Sequence, residues 1–232
     1  TGPTSGIAFD GTNIWVADNS NDLVSRYDAA TGTKNLTDIS VPTSPTSMVF
    51  DGTSIWVTSQ FGTVTRIVAA TGAKDPNTVS TGFGATDVLF DGTNIWVANA
   101  GVDTVTRVNT ATRAKTDVAV GDSPDALAFD GTTLWVSNSN AGTISRINAT
   151  TAVKNPTDIS VSGCSGLAFD GTSIWVARFG IDTVARIDAA TGVLAPADVA
   201  VGDGPYKLLF DGAALWVTLA NVDTVQRLRT GN

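Results

Sequence analysis

The stretch that decides the fold is Phe90-Asp91-Gly92-Thr93-Asn94-Ile95-Trp96-Val97-Ala98-Asn99, followed by Asp103-Thr104-Val105-Thr106-Arg107-Val108. Asp-Gly between two short apolar runs is tight-hairpin chemistry, because Gly supplies the positive φ that the turn needs. The β-branched residues that follow alternate with polar ones, the period of a strand. Working outward, the same pattern recurs along the whole chain. Phe-Asp-Gly starts at Phe9, Phe50, Phe90, Phe129, Phe169 and Phe210. Six residues after each Phe stands a Trp: Trp15, Trp56, Trp96, Trp135, Trp175 and Trp216. An Arg follows ten or eleven residues later, at Arg26, Arg66, Arg107, Arg146, Arg186 and Arg227.

Each unit reads as four short strands, placed in the first unit at 6–9 (A), 14–17 (B), 23–27 (C) and 38–41 (D). Strand A is small and apolar, as suits a crowded centre, and strand D is polar, as suits a solvated edge. Four strands at a period near 40 predict an all-β, six-bladed β-propeller with four-stranded blades. It is expected as a single domain over 1–232, with units starting near 6, 47, 87, 126, 166 and 207. The sixth unit runs out after its third strand, so a three-stranded last blade is expected. In the first unit the B–C turn centres near Ser20-Asn21, which sets Trp15 opposite Arg26. Six such pairs are predicted to stack between blades, each worth about 0.5–2 kcal/mol.

All 22 acidic residues are Asp, His is absent, and the net charge is −8. That balance argues against nucleic acid or an anionic membrane as partner. No apolar run approaches the roughly 20 residues of a membrane-spanning helix. The lone Cys164 excludes an internal disulfide. The acidic, Thr/Asn/Gly-rich composition points to an extracellular or cell-surface setting, and the chain is expected to be a secreted monomer.

The Phe90–Asn99 and Asp103–Val108 motifs resemble the bacterial YVTN and virginiamycin B lyase-like propeller repeats, with NHL-repeat and gluconolactonase-like propellers as more distant relatives. The resemblance covers all six units. It implies the propeller fold, and for the lyases a magnesium-dependent enzyme of seven blades with a catalytic His. This chain has six units, no His and no Glu, so the resemblance carries no catalytic residue onto it.

Strand direction sorts the loops. The A–B and C–D turns share one end of a blade; the B–C and D–A loops share the other. The first end repeats almost unchanged, and its six Asp residues are read as turn caps. The second end varies, and variation within a repeat array is where individual chemistry can reside. There Arg178 and Phe179, Tyr206 and Lys207, Asp87 and Asp125, and Gln60 and Phe61 form the candidate site. Aromatic rings would stack a small polar or zwitterionic ligand and the charges would orient it; a protein partner on the same rim is the other candidate. Asp18-Asn19-Ser20-Asn21-Asp22 has the oxygen density for Ca²⁺ but not the spacing of a calcium loop, and is read as a turn. Cys164 has no neighbouring base and is read as a buried, inert thiol. No cofactor is expected. The leading function is a non-catalytic ligand-binding or interaction module. The alternatives are a metal-dependent lyase or lactonase with an Asp/Asn-lined centre, and a purely structural or engineered scaffold.

Overall fold

The computed structural model describes residues 4–229, and those residues form strands, turns and loops with no helix. They build six antiparallel sheets, the blades of a six-bladed β-propeller fold. Blade 1 comprises Thr4–Phe9, Asn13–Asp18, Leu23–Asp28 and Lys34–Ser40 as strands A to D. Strands A to C follow at Pro45–Phe50, Ser54–Ser59 and Thr63–Val68 in blade 2, and at Ala85–Phe90, Asn94–Asn99 and Thr104–Asn109 in blade 3. In blade 4 they are Pro124–Phe129, Thr133–Asn138 and Thr143–Asn148. Blade 5 has Cys164–Phe169, Ser173–Arg178 and Thr183–Asp188. Blade 6 is three-stranded among the described residues, with Pro205–Phe210, Ala214–Leu219 and Thr224–Arg229. The chain divides into two compact units, the first through Asp117 and the second from Val118.

Strand D is present in blades 1 to 5, as the spacing predicts, and varies in length. It is continuous in blade 1 and in blade 3 (Lys115–Ala119), but shrinks to Val79–Ser80 in blade 2 and Val199–Ala200 in blade 5. In blade 4 it splits into Val153–Lys154 and Ile159–Ser160, both paired to strand C. The cause is written in the chain. Pro76 and Pro196 stand just before the short strand D of blades 2 and 5 and Pro156 between its two pieces in blade 4, and blades 1 and 3 have no Pro there. Proline lacks the N–H that a ladder needs, so the outermost strand breaks where it occurs.

The Trp–Arg register is as the spacing predicts: each Trp is the direct cross-strand partner of its Arg in all six blades. Every guanidinium carbon lies over its indole, 5.3–6.0 Å from the centroid. The Trp face of one blade packs on strands A to C of the next. In the first unit Trp15 and Val24 cover Met48, Ile55 and Val57, and Trp56 and Val64 cover Val88, Ile95 and Val97. In the second, Trp135 and Ile144 cover Leu167, Ile174 and Val176, and Trp175 and Val184 cover Leu215 and Val217. Burying such side chains is worth about 1.5–3 kcal/mol apiece, so these seams hold the blades together. Trp216 is 37% exposed, where the other five Trp are buried.

Candidate functional site

The two ends of each blade are built on different principles. At the A–B turn the six Asp are caps, as expected. In each, Oδ1 accepts from the backbone N–H groups two and three residues on, at 2.6–2.9 Å. Their second oxygen has a role that spacing alone did not suggest. Oδ2 accepts from the indole Nε1–H of the repeat Trp at 2.6–2.8 Å in every blade. One carboxylate thus ties the turn to the side chain at the seam. Burial opposes ionisation at Asp91, but bonds from Asn94, Trp96 and the turn backbone outweigh it and hold the carboxyl below its ordinary value.

At the other end, strand A begins earlier than the spacing predicts and carries a register slip against strand B in every blade. The slips fall at Thr46-Ser47, Thr86, Asp125, Ser165-Gly166 and Tyr206-Lys207 in blades 2 to 6, so the variable residues sit within strand A at a bulge and not in the loop before it. A bulge leaves one residue out of the ladder and re-aims its side chain. In blades 2, 4 and 6 the freed backbone is met by a hydroxyl of strand B. Thr58 Oγ1 accepts from Ser47 N at 3.0 Å, Ser137 Oγ from Ala126 N at 3.0 Å, and Thr218 Oγ1 from Lys207 N at 2.9 Å. Gly166 is obligatory here: a Cβ would collide with the Tyr206 carbonyl oxygen and lie 2.9 Å from the Lys207 Cα.

In the second unit the bulges of blades 4 and 6 and the B–C loop of blade 5 frame a cleft of about 370 Å³. Its lining includes Asp125, Ser139, Cys164, Ser165, Phe179 and Tyr206. Phe179 and Tyr206 meet edge to face with centroids 6.2 Å apart, and Lys207 Nζ lies 5.1 Å from the Tyr206 ring centre. Both residues are partly exposed, at 41% and 40%. Arg178 lies beside this group but points to the outer strand. It pairs with Asp198 and donates to Ser162 through Nε–H to the carbonyl at 2.9 Å and through Nη2 to Oγ at 2.8 Å. Its charge is spent on holding the blade 5 rim together.

Cys164 forms part of the cleft floor, 1% exposed, with its thiol donating to the Asn138 carbonyl at 3.3 Å. Burial pushes the thiol up to about 11, so it stays protonated at neutral pH. In the first unit Phe61 packs edge to face on Phe83 with centroids 6.0 Å apart. Phe61 also borders a cleft of about 390 Å³ with Pro42, Thr43 and Ser59. Gln60 contributes its backbone there, N–H to Ser44 O and carbonyl to Gly84 N. Asp87 Oδ1 accepts from the adjacent Val88 N at 2.9 Å, a local bond within strand A.

The Asp18–Asp22 run is a turn whose carboxylates are engaged. Asp18 accepts from Ser20 N, Asn21 N and Asn21 Nδ2, and Asp22 Oδ1 accepts from Ser44 N at 2.7 Å. Asp22 also takes positive φ, as do Asp103, Asp182 and Asp223 at the same position. Among the described residues, no three His, Cys, Asp or Glu converge as a metal-binding group.

No protein-family model matches the sequence, and no curated protein is similar to it. Its shape, in contrast, is widely shared. A streptogramin B lyase structure superposes with a TM-score of 0.79 at 15% identity, over 99% of this chain and 83% of the lyase. A catalytically inactive histidine-to-alanine variant of virginiamycin B lyase from Staphylococcus aureus, solved with quinupristin, gives 0.77 at 16% identity, over 97% and 84%. A chain of the mitotic checkpoint complex gives 0.86 at 14% identity, over 99% and 78%. These likenesses span enzymes and assembly components, so what they share is architecture. The chain has the β-propeller fold found in virginiamycin B lyase.

Proposed function

We propose that this propeller is a non-catalytic binding module whose cleft across blades 4 to 6 takes a small zwitterionic ligand. The observation that carries the reading is the Phe179–Tyr206 pair beside Asp125 in one cleft. Two exposed aromatic rings offer faces to a cationic group, and a carboxylate in the same cleft orients it. Lys207, stacked on Tyr206 and exposed, answers a negative group at the mouth. The non-catalytic half of the reading rests on the chemistry of the chain. It has neither His nor Glu, and its thiol is held neutral by burial. The virginiamycin B lyase variant with one histidine replaced by alanine is catalytically inactive; this chain has no histidine. The acidic, His-free composition supports placing the module on an exported or cell-surface protein.

The test is titration of amide and tryptophan signals with glycine betaine, free amino acids and short peptides. Shifts confined to residues around Phe179, Tyr206 and Asp125, displaced to higher ligand concentration in Phe179→Ala and Asp125→Asn, are expected. Each substitution should weaken binding roughly tenfold, equivalent to about 1.4 kcal/mol. Absence of any shift across that panel favours a purely structural role for the blade array.

A further inference from the structure

The C–D turns of blades 2 and 3, and those of blades 4 and 5, meet across a seam, and the two seams are filled differently. Between blades 2 and 3 the chain uses its own charges. Arg113, in the turn of blade 3, pairs with Asp75 of blade 2 and donates through Nη1 to the Asn77 carbonyl at 2.8 Å. The repeat Arg of blade 2, Arg66, donates from Nε to Ser54 Oγ at 2.8 Å. The Asp75 carboxyl is held below its ordinary value by the Arg113 bond first, and the charge of Arg66 adds to it.

Between blades 4 and 5 the repeat Arg remains and its partners are replaced. Gly192 stands at the turn position of Arg113, both at positive φ. Asn155 stands at the position of Asp75, each N–H bonding to the carbonyl of the repeat Arg, and Thr133 at that of Ser54. A cleft of about 550 Å³ opens there, its lining including Arg146, Asn148, Thr151, Lys154 and Asn155. Among the described residues, Arg146 Nε is buried with no hydrogen-bond partner, and the guanidinium makes one long bond, from Nη2 to the Thr157 carbonyl at 3.4 Å. It rests against Gly192, where a Cβ would collide with Nη1. Lys154 is paired with Asp158 at 2.7 Å, so the uncompensated charge of the cleft is that of Arg146. The neutral groups present donors too. Asn148 Oδ1 accepts from Thr151 N and Oγ1, and Asn155 Oδ1 from Thr157 N, which leaves the two Nδ2 groups to donate.

We propose that this cleft binds a small oxyanion, a carboxylate or a phosphate, in the place that the Asp75 carboxylate holds between blades 2 and 3. A buried N–H without an acceptor is costly, and the planar guanidinium fork matches two oxygens of such an anion. A slight turn of the Arg146 side chain presents Nε and Nη2 to it together. The site lies at the opposite end of the blades from the Phe179–Tyr206 cleft and does not depend on it.

NMR titration of the full chain with sodium acetate and with sodium phosphate, against sodium chloride at equal ionic strength, tests this. Saturable shifts of the Trp135 indole, the Arg146 Nε–H and the Ala189 and Ala190 amides are expected with at least one of the two oxyanions and not with chloride. The anion that produces them assigns the ligand as a carboxylate or a phosphate. Arg146→Gln should weaken the response about tenfold, the worth of one charge-assisted hydrogen bond. Arg146 also stacks on Trp135, so that variant disturbs the seam as well, and Asn155→Asp decides without touching it. This exchange returns to the cleft the carboxylate that blade 2 has, so it should abolish the response and leave the fold intact. Undiminished binding by Asn155→Asp, equal shifts with chloride, or no saturable shift with either oxyanion overturns the proposal. So do shifts centred on Phe179 and Tyr206, which would place the anion at the other end.

Discussion

The two ends of a blade differ in how their polar groups are used. At the A–B turn a single Asp carboxylate serves backbone and indole alike, the same way six times over. At the B–C and D–A end each blade solves the problem separately. A threonine pair does so in blade 2, a serine relay from Ser137 to the Ser165 carbonyl in blades 4 and 5, and a salt bridge from Arg178 to Asp198 in blade 5. The lesson concerns where a repeat protein can afford difference. The turn end sets the seam geometry through its Trp, so a change there alters packing. The bulged end lies at the terminus of each ladder, and in blades 2, 4 and 6 a strand B hydroxyl accepts from its freed N–H, whether that residue is Ser47, Ala126 or Lys207.

The comparison is tested most broadly by acid. The carboxyls of Asp10, Asp51, Asp91, Asp130, Asp170 and Asp211 are all held below their ordinary value. In the first five burial opposes the shift and hydrogen bonds override it; at Asp211 the Trp216 bond leads. A carboxyl with a lowered folded-state value binds protons less readily than in the unfolded chain. The stability it contributes is therefore complete above about pH 4 and lost as pH falls through the lowered values. Thermal unfolding should be insensitive to these groups from pH 5 to 8, then fall steeply in acid, with tryptophan emission reporting the loss. A stability maximum in acid would mean that the turn carboxylates do not hold the seams.

Next in size is Gly166→Val, which asks whether the variable end is as permissive as its sequence implies. The new side chain would meet the backbone of Tyr206 and Lys207 in the neighbouring blade. Overpacking of this kind costs about 1–3 kcal/mol, and more where backbone is the obstacle. The expected outcome is a lower denaturant midpoint and displaced Tyr206 signals. An unchanged midpoint would show that strand A is free to move at this end.

Most of the fold was legible because it depends on period. Six Trp and six Arg at fixed separation dictate register, and the register dictates the seams. The shortening of strand D in blades 2, 4 and 5 lies outside what the period encodes, although Pro76, Pro156 and Pro196 signal it. The candidate site was legible only as a set of exceptions to the repeat. Spacing brought Arg178, Phe179, Tyr206 and Lys207 to one rim, but the Arg178–Asp198 pair depends on the path of a broken strand D, which no periodicity encodes. The bulges in strand A were hidden for a similar reason: a slip of one residue leaves the repeat length intact.

The smallest of these effects is also the most discriminating, because it separates the two duties of one carboxylate. Asp91→Asn keeps the size of the side chain but leaves one acceptor oxygen where two were used. That oxygen can serve the N–H groups of Thr93 and Asn94 or the indole of Trp96, but not both. Trp96 is fully buried, so its N–H would be left without water, at a cost of about 1–3 kcal/mol. Asp211→Asn makes the same exchange beside Trp216, whose partial exposure lets solvent replace the lost bond, and its effect should be clearly smaller. Equilibrium denaturation of the two variants side by side decides the matter. Equal losses would place the value of the carboxylate in the turn; a larger loss at Asp91 places it in the buried indole bond, and hence in the seam.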